Sequence, residues 1–424
     1  MMSKPTPEKA PAMTQTSMMP GQASTRRIRL RHHIVELDDG HEVGVSVGGQ
    51  GAPLVFLHGL VLSRRAYLRM LSRVAGLGFQ VVAIDAAGHG DTHNLPRDAR
   101  EFDHGVDLTL RALDVLGVSR AVIAGHSMGG RMAIQLAARA PERAMAVVLL
   151  DAAAGARFDE TIPTVLRSPR AAARIVLGAA YDTQRDPFRL GVAERSRYLR
   201  MLAAVWMRNA RRPSGVTGAA RAIVQSGDYS PLLQKMRDHA VPTFVLHGEN
   251  DLVVPFDSAR DIADDANGTL YCVPGAYHSW MIANPRQGAD AFRQLLRGEL
   301  GDVLHDTANA LGMKDFTDAA CWEDALISPD ALVRELNGDT VEELGIEDPE
   351  HVELQPIRRA WRPCWTQRMR WVQRTYRRPA ARSQSRSRQP AHAVRHHARY
   401  MCANPAGPWP SATDCDVSGQ CRSE

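Results

Sequence analysis

Cysteine is scarce in this chain and poorly placed for chemistry. There are 6 cysteines in 424 residues. Only Cys272 lies among the first 300; Cys321 follows, and Cys364, Cys402, Cys415 and Cys421 sit near the C-terminal end. No Cys-x-x-Cys pair occurs, which excludes the usual zinc-ligand spacing and leaves no disulfide framework to read. Long apolar runs are missing too. No stretch approaches the ~18 uninterrupted apolar residues that a helical membrane span needs, so no membrane span is expected. Residues 1–25 contain Met, Pro, Thr and Ser but no apolar segment of the kind a secretion signal carries, so a disordered leader and a cytoplasmic protein are expected. The main body also lacks the positive charge that the net +5 suggests. Residues 355–424 hold 14 arginines and no lysine against Asp414, Asp416 and Glu424, a balance of +11, so the other residues carry −6. The basic character belongs to a tail and implies no acidic partner for the body.

What is present is organised around Val122-Ile123-Ala124-Gly125-His126-Ser127-Met128-Gly129-Gly130. An apolar run ends at a glycine. A serine follows, and then a run rich in Ala, Met and Leu at helical spacing. This reads as strand, sharp turn and helix with Ser127 on the turn. Strand and helix pass so close at such a corner that its neighbours must lack Cβ. The helix N-terminus behind the serine favours negative charge developing in front of it.

Around that centre, strand and helix alternate. Residues 26–37 and 43–47 alternate apolar and polar side chains about Asp38-Asp39-Gly40, which predicts a hairpin at a sheet edge. Residues 53–57, 79–84 and 144–150 are continuous apolar runs, as in strands buried on both faces. Helices are expected at 65–75 and 99–116. The alternation implies right-handed crossovers and a mostly parallel sheet. It stops after Asp151. Residues 152–237 contain helical stretches, such as 171–180 and 194–208, and no convincing strand. Strands resume at 242–246 and 269–273, and residues 284–297 read as a last amphipathic helix. The insert therefore falls above the strand ends, where open α/β sheets bind ligands, and reads as a helical cap. Its apolar residues are spaced to give one-sided faces, and Trp206 is the candidate substrate-binding side chain.

The two resumed strands supply what a serine nucleophile requires. His247-Gly248-Glu249-Asn250-Asp251 places Asp251 on the loop after the first, and Pro274-Gly275-Ala276-Tyr277-His278 places His278 on the loop after the second. In a Ser127, Asp251, His278 triad, His278 takes the serine proton and returns it to the leaving group, while Asp251 orients the imidazole. Asp151 also ends a strand and is the rival for the acid. The main-chain N–H groups of Met128 and Leu60 are the candidate oxyanion hole. His58, His126, Asp85 and His247 read as loop-shaping or packing residues.

Taken in order, Leu57-His58-Gly59, Asp85 with Gly88-His89-Gly90, the Ser127 elbow, His247 to Asp251 and Gly275 to His278 resemble the α/β-hydrolase fold superfamily over about residues 28–300. The resemblance implies an eight-stranded, mostly parallel sheet with helices on both faces, a helical cap, the triad above and no cofactor or metal. Core segments at 26–151 and 238–300 would flank the cap at 152–237. Epoxide hydrolases and haloalkane dehalogenases, which use an Asp nucleophile, are excluded by Ser127. Ala86-Ala87 departs from the arginine that relatives often carry before Gly-His-Gly. The expected activity is cleavage of an ester or related acyl bond in a small to medium hydrophobic molecule. Carbon–carbon bond hydrolysis and non-haem haloperoxidase-like chemistry share these motifs, and a non-catalytic interaction module is the rival of another class.

Residues 303–360 carry short apolar spacings in Ala310-Leu-Gly-Met-Lys-Asp-Phe316, Asp330-Ala-Leu-Val-Arg-Glu-Leu336 and Thr340-Val-Glu-Glu-Leu-Gly-Ile346, which read as short helices in a small all-α unit. They are similar to SAM (sterile alpha motif) domains, which implies a protein partner. A helical extension packed on the hydrolase core fits the same pattern. Residues 361–424 are rich in Arg, Ser, Pro and Gln with few aliphatics, and are expected to be disordered. Trp361, Trp365, Trp371 and Tyr376 among those arginines could stack on single strands, but a solvated tail is the simpler reading and nucleic acid is not an expected partner.

Overall fold

Runs such as Ala-Pro-Leu-Val-Phe-Leu and Ala-Met-Ala-Val-Val-Leu-Leu have no polar face to show to water, so they settle where a sheet is covered on both sides. The computed structural model describes residues 25–96, 102–167, 192–211, 213–338 and 340–357, without the side chains of 163–167, 193, 194, 206, 208, 210 and 213. Its strands are β1 (Thr25–Ile28), β2 (Arg31–Glu36), β3 (Glu42–Gly48), β4 (Ala52–Leu57), β5 (Phe79–Ile84), β6 (Ala121–His126), β7 (Ala144–Leu150), β8 (Thr243–Gly248), β9 (Thr269–Val273), β10 (Glu343–Glu347) and β11 (Gln355–Ile357).

The main sheet has the order β11-β9-β8-β7-β6-β4-β5-β3-β2. Every residue of β4 to β8 is buried. The pairs β4–β5, β4–β6, β6–β7, β7–β8 and β8–β9 are parallel. The hairpin β2–β3 lies at one edge, with Val35 opposite Val43. Eight strands, β2 to β9, make up the expected eight-stranded sheet, and β11 adds a ninth, antiparallel to β9. Because the central strands are parallel, the loops that leave β4, β6, β7, β8 and β9 all emerge at one end of the sheet. Those are the loops bearing Leu60, Ser127, Asp151, Asp251 and His278.

The insert between β7 and β8 is helical where it is described: Ala156–Arg167, Val192–Arg211, Pro213–Gln225 and Ser230–Asp238. The helix expected at 171–180 and the side chain of Trp206 lie outside the described residues. A Cβ on Gly215 of the third helix would sit 2.0 Å from the Gly88 carbonyl oxygen, so insert and core meet there backbone to backbone.

The segment after residue 300 departs from its all-α reading: 311–318 forms turns instead of the helix expected at 310–316, and 355–357 is strand β11. Helices occur at Glu299–Ala310, Ala319–Leu326 and Leu332–Asn337, but the stretch 340–346, expected to be helical, runs into strand β10 (Glu343–Glu347). The reason is local. Gly345 has φ 121°, which no helix tolerates, and β10 pairs antiparallel with β1. Ion pairs Arg26–Glu343 and Arg27–Glu347 join the two strands of that ribbon, and Arg73–Glu347 ties it to the helix Leu68–Ala75. Pro356 stands in β11, the outermost strand, the one place in a sheet where a missing N–H is harmless. Trp322 is fully buried and its Nε1–H donates to the Phe316 carbonyl at 2.8 Å. The residues of 303–357 thus join the rest of the chain through strands at two places, β10 pairing with β1 in a separate two-stranded ribbon and β11 extending the main sheet beside β9.

Candidate active site

Ser127 occupies the corner between β6 and the helix Met128–Arg139 with φ 53° and ψ −116°, a strained conformation for a residue with a side chain. Three contacts keep it there. Its N–H donates to the Leu150 carbonyl, and its own carbonyl accepts from Arg131 and Ala153 N–H. The glycines follow from proximity: a Cβ on Gly125 would lie 2.2 Å from the Gly129 carbonyl oxygen, and one on Gly129 would lie 2.1 Å from that of Leu57. Ser127 is only 8% exposed, and His278 is equally enclosed.

His278 Nδ1 lies 2.7 Å from Asp251 Oδ2. A carboxylate can only accept, so Nδ1 carries the proton and Nε2 is left as the basic nitrogen. Asp251 Oδ1 accepts from the Val253 and Val254 N–H groups at 2.7 and 2.9 Å. Burial alone would raise the Asp251 pKa. The His278 imidazole, His247 and the backbone donors outweigh it, and the carboxyl sits below its ordinary range. His247 Nε2 donates to the Val254 carbonyl at 2.9 Å and lies 3.3 Å from Asp251 Oδ2. It therefore braces the loop that carries Asp251.

Asp151, the rival acid, lies in the same cluster. One ligating atom from each of Asp151, Asp251 and His278 falls within 4.8 Å of the others. Asp151 makes no bond to the imidazole among those described. Its Oδ1 accepts from Gly248 N–H and its Oδ2 from Trp280 Nε1–H, each at 2.8 Å. Burial, with the Asp251 charge second, pushes its pKa well up. By donor type these three residues could hold a metal, but N–H groups already occupy both Asp151 oxygens, and the His278 Nδ1 proton faces Asp251.

The loop after β4 approaches from the other side. His58 Nδ1–H donates to the Gly59 carbonyl at 2.8 Å, while its Nε2 accepts from Ala86 N–H at 2.9 Å. Burial holds the His58 pKa down at about 4, so the ring is neutral. With the Gly59 carbonyl fixed, the N–H of Leu60 in the same trans peptide points the opposite way. Asp85 is buried against Arg64 and accepts from the Arg64 and Asp91 N–H groups, which ties down the loop after β5. Ala86 and Ala87 in that loop border a cavity of about 50 Å³ shared with Met128, Met132, Phe102 and Ala219. Their small side chains open space beside the residue that follows Ser127.

Sequence reasoning missed Arg131. It is fully buried, bonded to Asp159, Ala153, Ser226 and Gly227, and stacked 3.5 Å over the Tyr229 ring. It fastens the helix Met128–Arg139 to the insert. The available signal was one charge in an otherwise apolar helical run.

The chain belongs to the α/β hydrolase fold family, whose model matches residues 52–285. It is 41% identical over 272 residues to a candidate non-heme haloperoxidase of Mycobacterium phage D29, covering 62% of this chain and 93% of that protein. It is 28% identical to a bifunctional esterase/perhydrolase of Acinetobacter calcoaceticus, covering 54% of this chain and 87% of the other. Among solved structures, a thermophilic esterase from Thermogutta terrifontis matches with TM-score 0.51 and 22% identity, over 63% of this chain and 98% of that one, a likeness of fold. No helix among the described residues is long and apolar enough to cross a membrane.

Proposed function

We propose that the protein is a serine hydrolase acting on an ester or related acyl bond of a small hydrophobic molecule. The observation that carries this reading is the 2.7 Å contact of His278 Nδ1 with Asp251, made at the same end of the sheet as the strained Ser127 corner. Ser127 Oγ attacks the acyl carbon while His278 Nε2 takes its proton. The developing oxyanion meets the main-chain N–H groups of Leu60 and Met128, the second at a helix N-terminus. His278 then protonates the departing alcohol. Water, deprotonated by the same nitrogen, releases the acid from Ser127. The cavity beside Met128 is apolar and small, which favours a short acyl group.

A second reading has its own support in the 41% identical haloperoxidase-like relative and the esterase/perhydrolase. Hydrogen peroxide in place of water would discharge the same acyl-enzyme as a peracid. A fluorophosphonate probe tests the common step: the wild type should label and Ser127→Ala should not. An unlabelled wild type, or equal labelling of both, would overturn the proposal. Hydrolysis of short-chain esters with and without peroxide then separates the two outcomes.

A further inference from the structure

Three buried hydrogen bonds run in series beneath the candidate site. Gly59 N–H donates to Tyr67 Oη at 3.1 Å, Tyr67 Oη lies 2.7 Å from His126 Nδ1, and His126 Nε2 lies 2.8 Å from the His278 carbonyl oxygen. The directions follow from chemistry alone. A carbonyl only accepts, so His126 Nε2 must carry a proton. A neutral imidazole then has a lone pair at Nδ1, which takes the Tyr67 hydroxyl hydrogen. The phenol oxygen is left to accept from Gly59. Each donor along the chain therefore points the same way, an arrangement in which successive bonds polarise and strengthen one another.

The three bonds join three separate segments: the loop after β4, the elbow at the end of β6, and the loop after β9. We propose that Tyr67 and His126 are positioning residues that set the distance between the Leu60 N–H and the His278 imidazole by locking both loops to the nucleophile elbow. This rests on the proposed hydrolase reading. Both side chains are about 1% exposed, so water cannot replace either partner. Burial, with the neighbouring His278 next, holds the His126 pKa at about 3, and burial raises that of Tyr67 well above its ordinary value. The imidazole therefore stays neutral and the phenol stays a donor. Space is shaped for the chain as well: a Cβ on Gly59 would lie 2.8 Å from His126 Nδ1. With the Gly59 carbonyl held by His58 and its N–H held by Tyr67, this residue is fixed on both sides. At the other end the bond is to the backbone of His278, so the imidazole can gain and lose its proton while its Cα stays in place. The His126 and His278 rings lie 4.8 Å apart, close enough for the elbow to buttress the base directly.

The test compares Tyr67→Phe, His126→Gln and His126→Phe with wild type by ester kinetics, fluorophosphonate labelling rate and thermal unfolding. Tyr67→Phe should lower kcat roughly tenfold to a hundredfold, as for slightly misplaced catalytic groups, with KM within about twofold because neither residue touches substrate. His126→Gln, which keeps an N–H at the reach of Nε2, should retain more activity than His126→Phe. Adding Tyr67→Phe to His126→Phe should cost little more, because the chain is already cut. Unchanged kcat in a labelled, folded Tyr67→Phe, or fully additive losses, would overturn the proposal. In the unmodified protein, nitrogen-detected histidine NMR, assigned by the signal lost in His126→Gln, should show a neutral Nε2–H tautomer for His126 at pH 7. The Nδ1–H tautomer or an imidazolium would overturn it independently of the kinetic comparison. A wild type that fails to label would remove the hydrolase reading itself, and the positioning role with it.

Discussion

Replacing Asp251 by asparagine changes one oxygen of a buried carboxylate into an NH2 group, and the surroundings dictate which. Oδ1 accepts from two backbone N–H groups, Val253 and Val254, so the amide oxygen must stay there. The NH2 then faces His278 Nδ1, where Oδ2 stood at 2.7 Å. Two donors cannot share that contact. The imidazole responds by moving its proton to Nε2, which leaves Nδ1 to accept from the amide and removes the lone pair that would deprotonate Ser127. The geometry survives and the chemistry stops. Loss of the correct tautomer is worth about 10⁴ in kcat in the general serine-triad case, or ~5 kcal/mol in the barrier at 1.36 kcal/mol per decade. Asp251→Asn should therefore hydrolyse a short activated ester about four decades more slowly with a near-normal unfolding midpoint.

Asp151→Asn is the matched comparison. Both its oxygens accept N–H donors, from Gly248 and Trp280, so an amide there must turn NH2 toward one of them. The expected result is a loss of roughly 1–3 kcal/mol in stability, the penalty for a buried donor left without an acceptor, and less than a tenfold change in kcat. If the two substitutions exchange these outcomes, or if Asp251→Asn loses less than tenfold, the assignment of the acid to the loop after β8 is wrong.

Two further expectations concern stability. Arg131→Met leaves Asp159 buried without its guanidinium and strips the Ala153 and Gly227 carbonyls of a donor; breaking one half of a buried pair should lower urea stability by about 3–5 kcal/mol, and a loss below 1 kcal/mol would mean that insert and elbow are not coupled through it. His89 is held neutral by burial, with the nearby His58 second, at a pKa of about 4. Its depressed folded value contributes stability that is present above pH ~6.5 and lost as pH falls through about 4, so wild type should lose roughly 3 kcal/mol relative to His89→Gln across that window. Parallel pH–stability curves for the two proteins would refute this.

The sheet was legible because burial on both faces leaves no choice of side chain. A run such as 144–150 can only be an inner strand, and five such runs separated by helical spacing leave few topologies. The corner at Ser127 was legible for a related reason. Strand, helix and neighbouring carbonyls come within 2.2 Å of where a Cβ would stand, and glycine is the only residue that fits. Strand β10 was not legible. Its residues Glu-Leu-Gly-Ile-Glu are exposed or half-exposed, and the pairing that makes them a strand comes from residues 25–28, over 300 positions earlier. No local pattern encodes a partner that distant.

The supports of the site belong to the same class. Tyr67 lies in a 3-10 turn that is unremarkable as sequence, yet it touches His126, 59 residues on, and His126 touches the backbone of His278 another 152 residues on. The proposed nucleophile, acid and base are announced by the turns that carry them, because each such role needs a loop of defined shape at a strand end. The groups that hold those loops in register need only the right polar atom at the right place in space, and many residues at many positions could supply it. His126 marks the boundary between the two kinds. Its position between Gly125 and Ser127 is fixed by the elbow, but its task depends on two loops the elbow does not specify. Substitution there should consequently leave the corner itself intact and impair what the corner is aligned with.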